Sequence, residues 1–158
     1  MKRKPAVPVP IAEIQGEFHK SEQEFESGFL ESIHGLELNR VSVWGNVVRK
    51  FELPEKGFSS ITLDDFTSAI DCNTFQGSTI LNELKIGERI RVIGRVRQNP
   101  QGELYILAEI ATPIDEQREL LHRAESLRTI QHAQKSGKKR KPLKEDAEPE
   151  LKVEKRVM

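Results

Sequence analysis

The sequence contains a single cysteine, Cys72. A disulfide within the chain is therefore impossible, and a cysteine-rich zinc site is excluded. Cys72 lies in a strand-like run, where a thiol is expected to be buried and inert. No apolar run approaches the ~20 residues of a membrane-spanning helix. The basic start, Met1-Lys2-Arg3-Lys4-Pro5, lacks the apolar core of a signal peptide. A cytoplasmic chain with no membrane partner is the expectation. Excess charge of either sign is also missing, because 25 Lys and Arg balance 25 Asp and Glu. This rules out a generically polybasic nucleic-acid binder, so any contact with phosphates must come from local placement. There is no glycine-rich phosphate loop. His19, His34, His122 and His132 lack metal-ligand spacing. Asp64 and Asp65 are adjacent and turn-bound, which suits turn closure better than acid–base work. The expectation is no enzyme, no metal and no cofactor.

What is present is organised around residues 61–75. Ile61 and Leu63 alternate with Thr62 and Asp64, and a second β-prone run from Ala69 leads to Phe75. The polar segment Asp65-Phe66-Thr67-Ser68 between them predicts a hairpin. It is not an Asn-Gly or Asp-Gly turn, so a longer connection closed by Asp65 and Thr67 is expected. Upstream, Arg40–Glu52 reads as a long strand with Val41, Val43 and Val47 on one parity. Gly45 inside it predicts a bulge or sharp bend. Downstream, Gly77–Leu84 has the helical spacing Ile80, Leu81, Leu84 and predicts a short helix capped by Ser78 or Thr79. Arg89–Gln98 is a fourth strand with Ile90, Val92 and Val96 inward and Arg89, Arg91, Arg95 and Arg97 on the other parity. Asn99-Pro100-Gln101-Gly102 fits a type I turn. Glu103–Thr112 is a fifth strand with Leu104, Ile106, Ala108 and Ile110 on one face.

Three strands, a short helix and a two-strand hairpin give the order of an OB-fold, an all-β five-stranded Greek-key barrel. It is expected over residues 39–112. Residues 1–38 form an N-terminal arm, with Pro5, Pro8 and Pro10 marking an extended or edge segment and one helical turn at Ile11–Ile14. Phe18, Phe25 and Phe29 are expected to pin the arm, since no basic cluster accompanies them. Residues 113–136 predict a C-terminal helix with Thr112 as cap and Pro113 in its first turn. Ile114, Leu120, Leu121, Ala124, Leu127 and Ile130 form an apolar arc of about 180°. Such an arc is wide enough for two partner helices. Residues 137–158 carry mixed charge and little to bury, and are expected to be a disordered tail.

Three stretches carry a family resemblance: Val43-Trp44-Gly45-Asn46-Val47-Val48-Arg49, Thr62 through Asp71, and Val92-Ile93-Gly94-Arg95-Val96. With the arm at Lys4–Val7 and Ile11–Ile14 and the helix around Leu121-His122-Arg123, the chain resembles the middle, small OB-fold subunit of replication protein A, in its archaeal form and without the C-terminal winged helix. The resemblance implies a hetero-oligomer with a large subunit, with or without a smaller OB-fold partner. It also implies contact with single-stranded DNA and, in a prokaryotic cell, a place at the nucleoid. In that family an aromatic at the end of the third strand stacks a base, and Phe75 matches the position. The family's second stacking aromatic is missing from Gln98–Gly102, and glycine often stands where this chain has Phe66 and Ser68. The candidate DNA contacts are Phe75, Trp44, Tyr105, Arg49, Arg89, Arg91, Arg95 and Arg97. The apolar arc of the C-terminal helix is the candidate partner surface. An assembly-only subunit and an RNA-binding OB module are the alternatives.

Overall fold

The structure is a computed structural model that describes residues 5–15, 30–32 and 34–137. Phe18, Phe25 and Phe29, and the tail beyond Gly137, lie outside the described residues. The arm supplies β1 (Val7–Pro8), α1 (Ile11–Gln15), β2 (Leu30–Glu31) and β3 (Glu37–Leu38). The barrel is built from β4 (Arg40–Leu53), β5 (Phe58–Asp64), β6 (Ala69–Thr74), β7 (Arg89–Gln98) and β8 (Leu104–Pro113), and α2 (Glu116–Gly137) follows.

The sheet runs β1-β4-β5-β6-β8-β7 and closes through a β4–β7 pairing. This is the five-stranded OB-fold barrel that the sequence predicts. Residues Arg40–Asn46 of β4 pair with β7, and Asn46–Leu53 pair with β5. At Gly45, where this exchange begins, a side chain would meet Leu63 Cβ at 2.8 Å and the Asp64 nitrogen at 2.9 Å. Close approach is thus the reason for glycine here. The register break of β4 lies at Val48 instead, between Val47 and Arg49. Val47 is buried, while Val48, Arg49 and Phe51 are exposed. A second break falls between Ile93 and Gly94 of β7, where Ile93 faces Ile110 and Gly94 faces Ala108. Glu109 is the extra residue, so parity on β8 flips after Ala108. Ile110, expected inward, is 42% exposed, and Ala111 packs against the core in its place.

Valines and isoleucines of alternate parity fill the barrel: Val41, Val43, Ile61, Leu63, Ile70, Ile90, Val92 and Ile106 are buried. Each contributes about 1.5–3 kcal/mol by leaving water. Cys72 joins them, and burial pushes its thiol pKa well above the usual range. Residues 77–84 close one end of the barrel, but not as a helix. They form successive turns, with Asn82 N donating to Thr79 O and Leu84 N to Leu81 O. Leu81 and Leu84 are nonetheless buried, and Lys50 Nζ donates to the carbonyls of Asn82 and Leu84.

β1 pairs in parallel with β4 and covers its edge beyond the end of β5. The hairpin turn then clamps the arm. Asp65 Oδ1 accepts from the amide and hydroxyl of Thr67, at 2.9 and 2.6 Å, while its Oδ2 accepts from Ile11 N at 2.9 Å. Thr67 Oγ1 accepts from Ala12 N. One turn thus closes itself and caps α1. Phe66 takes φ of 73° in that turn, a left-handed conformation in which glycine is unstrained.

The C-terminal helix starts later than the sequence predicts. Thr112 and Pro113 extend β8, with Pro113 opposite Ile90. Proline is tolerated there because β6 pairs only with Tyr105–Leu107, so this end of β8 is an edge. Asp115 is the cap, accepting from Arg118 N at 2.9 Å.

Candidate nucleic-acid interface

Four rings share one outer face, and the register break in β4 turns one of them, Phe51, onto it. Past the Val48 bulge, Phe51 turns outward, and Phe58 starts β5 across the Pro54–Gly57 connection. Phe75 follows the last residue of β6, and Tyr105 lies on β8 opposite Asp71. Their centroids form a chain: Phe51–Phe58 at 6.2 Å, Phe58–Phe75 at 5.3 Å and Phe75–Tyr105 at 6.4 Å. Phe75 is 43% exposed and Phe51 45% exposed. Rings left open to water in a row present π-faces to a planar ligand.

Beside this row, two adjoining cavities of about 550 and 230 Å³ form a groove between the β4–β5 connection and the β7–β8 hairpin. Tyr105 lines the larger, and Phe51 and Phe58 line the smaller. Thr62, Asp71, Asn73 and Asn99 line both and form the ridge between them. Thr62 Oγ1 donates to Asp71 Oδ1 at 2.6 Å. The hairpin rim is held as the Asn99–Gly102 turn predicts, with Gly102 N donating to Asn99 O at 2.9 Å. Asn99 Oδ1 also accepts from Glu103 N. Among the described residues the walls are not basic: Arg49 is the one cation lining either cavity, against Asp71 and Glu103.

Of the predicted contacts, Tyr105 and Arg49 line this groove, and Phe75 stands in the ring row beside it. Arg97 pairs with Tyr105 across β7–β8 and shares its face. The rest of the arginine stripe forms no track along it. Arg89 Nε lies 2.8 Å from Glu119 of α2. Arg91 lines a separate cavity under α2. Arg95 and Arg40 both pair with Glu109, at 3.2 and 2.8 Å. Trp44 is not at the groove either. It is 3% exposed, with the Arg123 guanidinium 5.1 Å from its ring centroid and Phe66 at 6.4 Å. The parity of the Arg40–Val47 segment puts it on the side that α2 covers. Phe51 and Phe58 escape the sequence reading. Their signal is two phenylalanines flanking a Pro-Glu-Lys-Gly turn, but only the Val48 bulge shows which way Phe51 points.

On the far side, α2 packs against β1 and β4 through polar residues. His122 and Ser126 are each 4% exposed. His122 Nε2 lies 2.9 Å from the Ser42 carbonyl oxygen, and its Nδ1 lies 3.2 Å from Ser126 Oγ. These partners fit a neutral ring that donates from Nε2 and accepts at Nδ1. Burial lowers the His122 pKa, and the hydrogen bond to Ser42 offsets this only in part. With that face inward, Leu120, Leu121 and Leu127 remain 69%, 57% and 60% exposed, and Ala124 is exposed beside them. Ile114 and Ile130 are half-buried at the margins.

Comparison with known proteins agrees with the barrel fold. Residues 40–114 match a family model described as an OB-fold nucleic acid binding domain. No curated protein matches the chain in sequence. Among solved structures, a chain from a replication protein A heterotrimer bound to ssDNA is similar at a TM-score of 0.67 and 17% identity, covering 82% of this chain and 98% of that one. A chain of the S. pombe Stn1–Ten1 complex is similar at 0.68 and 14% identity, covering 85% and 98%. A third, from yeast Stn1 and Ten1, gives 0.60 and 11% identity, over 82% and 74%. These likenesses concern the fold. They extend past the barrel, since residues 40–114 are less than 82% of the chain.

Proposed function

We propose that this chain is the small OB-fold subunit of a replication protein A-like, single-stranded DNA-binding complex that serves DNA replication or repair. The outward face of α2 joins it to a large subunit, alone or together with a smaller OB-fold partner. The barrel adds an auxiliary contact with the strand. The observation that carries the DNA contact is the row Phe51–Phe58–Phe75–Tyr105 beside an open groove. Stacked bases are worth about 1–3 kcal/mol each, whatever their sequence. The similar heterotrimer bound to ssDNA supports the same reading. The near-neutral groove makes the contribution a modest one.

Labelled single-stranded oligomers titrated with the full chain at low salt test this. Phe58→Ala and Phe75→Ala are each expected to weaken binding about tenfold, the effect of one lost stack. Equal affinity in both variants and the parent chain leaves only the assembly role, which the exposed leucines of α2 favour independently. Tighter binding of the matching RNA oligomer would assign the groove to RNA instead.

A further inference from the structure

One carboxylate stands on the groove ridge. Asp71 is an acceptor only; Thr62 donates to its Oδ1, and its Oδ2 accepts no hydrogen bond among the described residues. Asn73 Oδ1 is buried and has no hydrogen-bond partner among the described residues. Asn99 Nδ2 donates to Glu103 Oε1 at 3.1 Å, so one of its two N–H groups is engaged on the hairpin rim. The acceptor that the ridge offers a ligand is therefore the exposed Asp71 carboxylate, since Asn73 Oδ1 is turned away from solvent. Tyr105 stands on one side of it, and Phe58 on the other.

A base stacked on either ring turns an edge towards this ridge. Guanine offers two adjacent donors, N1–H and the N2 amino group, which match a carboxylate in a bidentate pair. Cytosine and adenine each offer one amino group. Thymine and uracil offer a single N–H between two carbonyl oxygens, and those oxygens face the acceptors unfavourably. Resting on the reading that the groove binds single strands, we propose that Asp71 selects bases by their donor edge. Guanine is preferred, cytosine and adenine are intermediate, and thymine and uracil are disfavoured. Stacking alone is indifferent to base identity, so the selectivity belongs to the ridge.

Oligomers of equal length test the proposal with the full chain. One is thymine throughout, and in the others alternate thymines are replaced by guanine, by hypoxanthine or by cytosine. The guanine oligomer should bind about tenfold more tightly than the thymine oligomer, the discrimination of one bidentate pair. Hypoxanthine keeps N1–H but lacks the amino group and should fall between them. Asp71→Asn retains an acceptor for Thr62 and introduces donors, and should bring the guanine and thymine affinities to within about twofold. Equal binding of all oligomers by the parent chain, or an unchanged preference in Asp71→Asn, overturns the selectivity while leaving strand binding intact. No binding of any oligomer overturns the strand-binding reading and the selectivity with it.

Discussion

At the scale of single residues, charge placement decides more than charge number. Arg95 has the right parity for a phosphate contact, yet it shares Glu109 with Arg40. Arg49 lines the groove and has no ion-pair partner among the described residues. Each phosphate contact on a single strand contributes about 0.7 to the log–log slope of affinity against salt. Arg49→Ala should therefore lower that slope by about 0.7, and Arg95→Ala should leave it unchanged. A slope that falls only in Arg95→Ala would move the strand off this groove. His122 is the other residue with a measurable signature. Burial holds its folded pKa below the unfolded value of about 6.5. The unfolded chain thus binds the extra proton first, and stability rises with pH through that window. The neutral ring stabilises the α2 junction above about pH 6.5, and this contribution is lost as pH falls through the lowered folded pKa. Melting temperature followed from pH 8 to pH 5 should drop, and His122→Gln should flatten the drop over that range. Parallel curves for the two proteins would show that another group controls the acid response.

At the scale of elements, α2 shows where helical periodicity informs and where it misleads. Ile114 through Ile130 do form an apolar arc, but most of it faces water. The face against the barrel is instead built from the His122–Ser126 pair, with the Glu119 carboxylate between Arg89 and Arg123. Polar residues at a docking seam are invisible to a hydrophobicity pattern, since only the position of Ser42 makes His122 a good neighbour. The same limit explains residues 77–84, whose leucines are buried as expected but in turns. Where partners in sequence suffice, the reading transfers well: the β7–β8 turn, the Asp65–Thr67 closure and the proline-marked β1 edge all form. The expected assembly role of α2 now has a concrete geometry. Leu120→Glu with Leu127→Glu should leave melting behaviour close to that of the parent chain, because both side chains already face solvent. The pair should abolish co-purification with partners from native extract, since an unpaired charge is costly to bury at a helix interface. Retained co-purification, or a collapse of the isolated fold, would contradict the assignment.

At the scale of the whole molecule, the proposed function gives the chain two working faces, the aromatic groove and the exposed side of α2. Strand order and core parity on the barrel are legible in the sequence because alternation of period two is a local property. The groove is less so. Phe75 and Tyr105 can be named in advance, but Phe51 joins the row only because an extra residue at Val48 rotates the end of β4. Trp44, the aromatic most prominent in the sequence, is spent on seating α2 through Arg123. The central claim is that the aromatic row, and not the face that holds Trp44, meets the nucleic acid. Photo-crosslinking of the full chain to a single-stranded oligomer, with the attachment sites mapped by mass spectrometry, tests it directly. The account predicts adducts at Phe58, Phe75 and Tyr105, and their loss when a competing unlabelled strand is added. Adducts confined to Trp44 and the residues of α2, or none at any position, would contradict it.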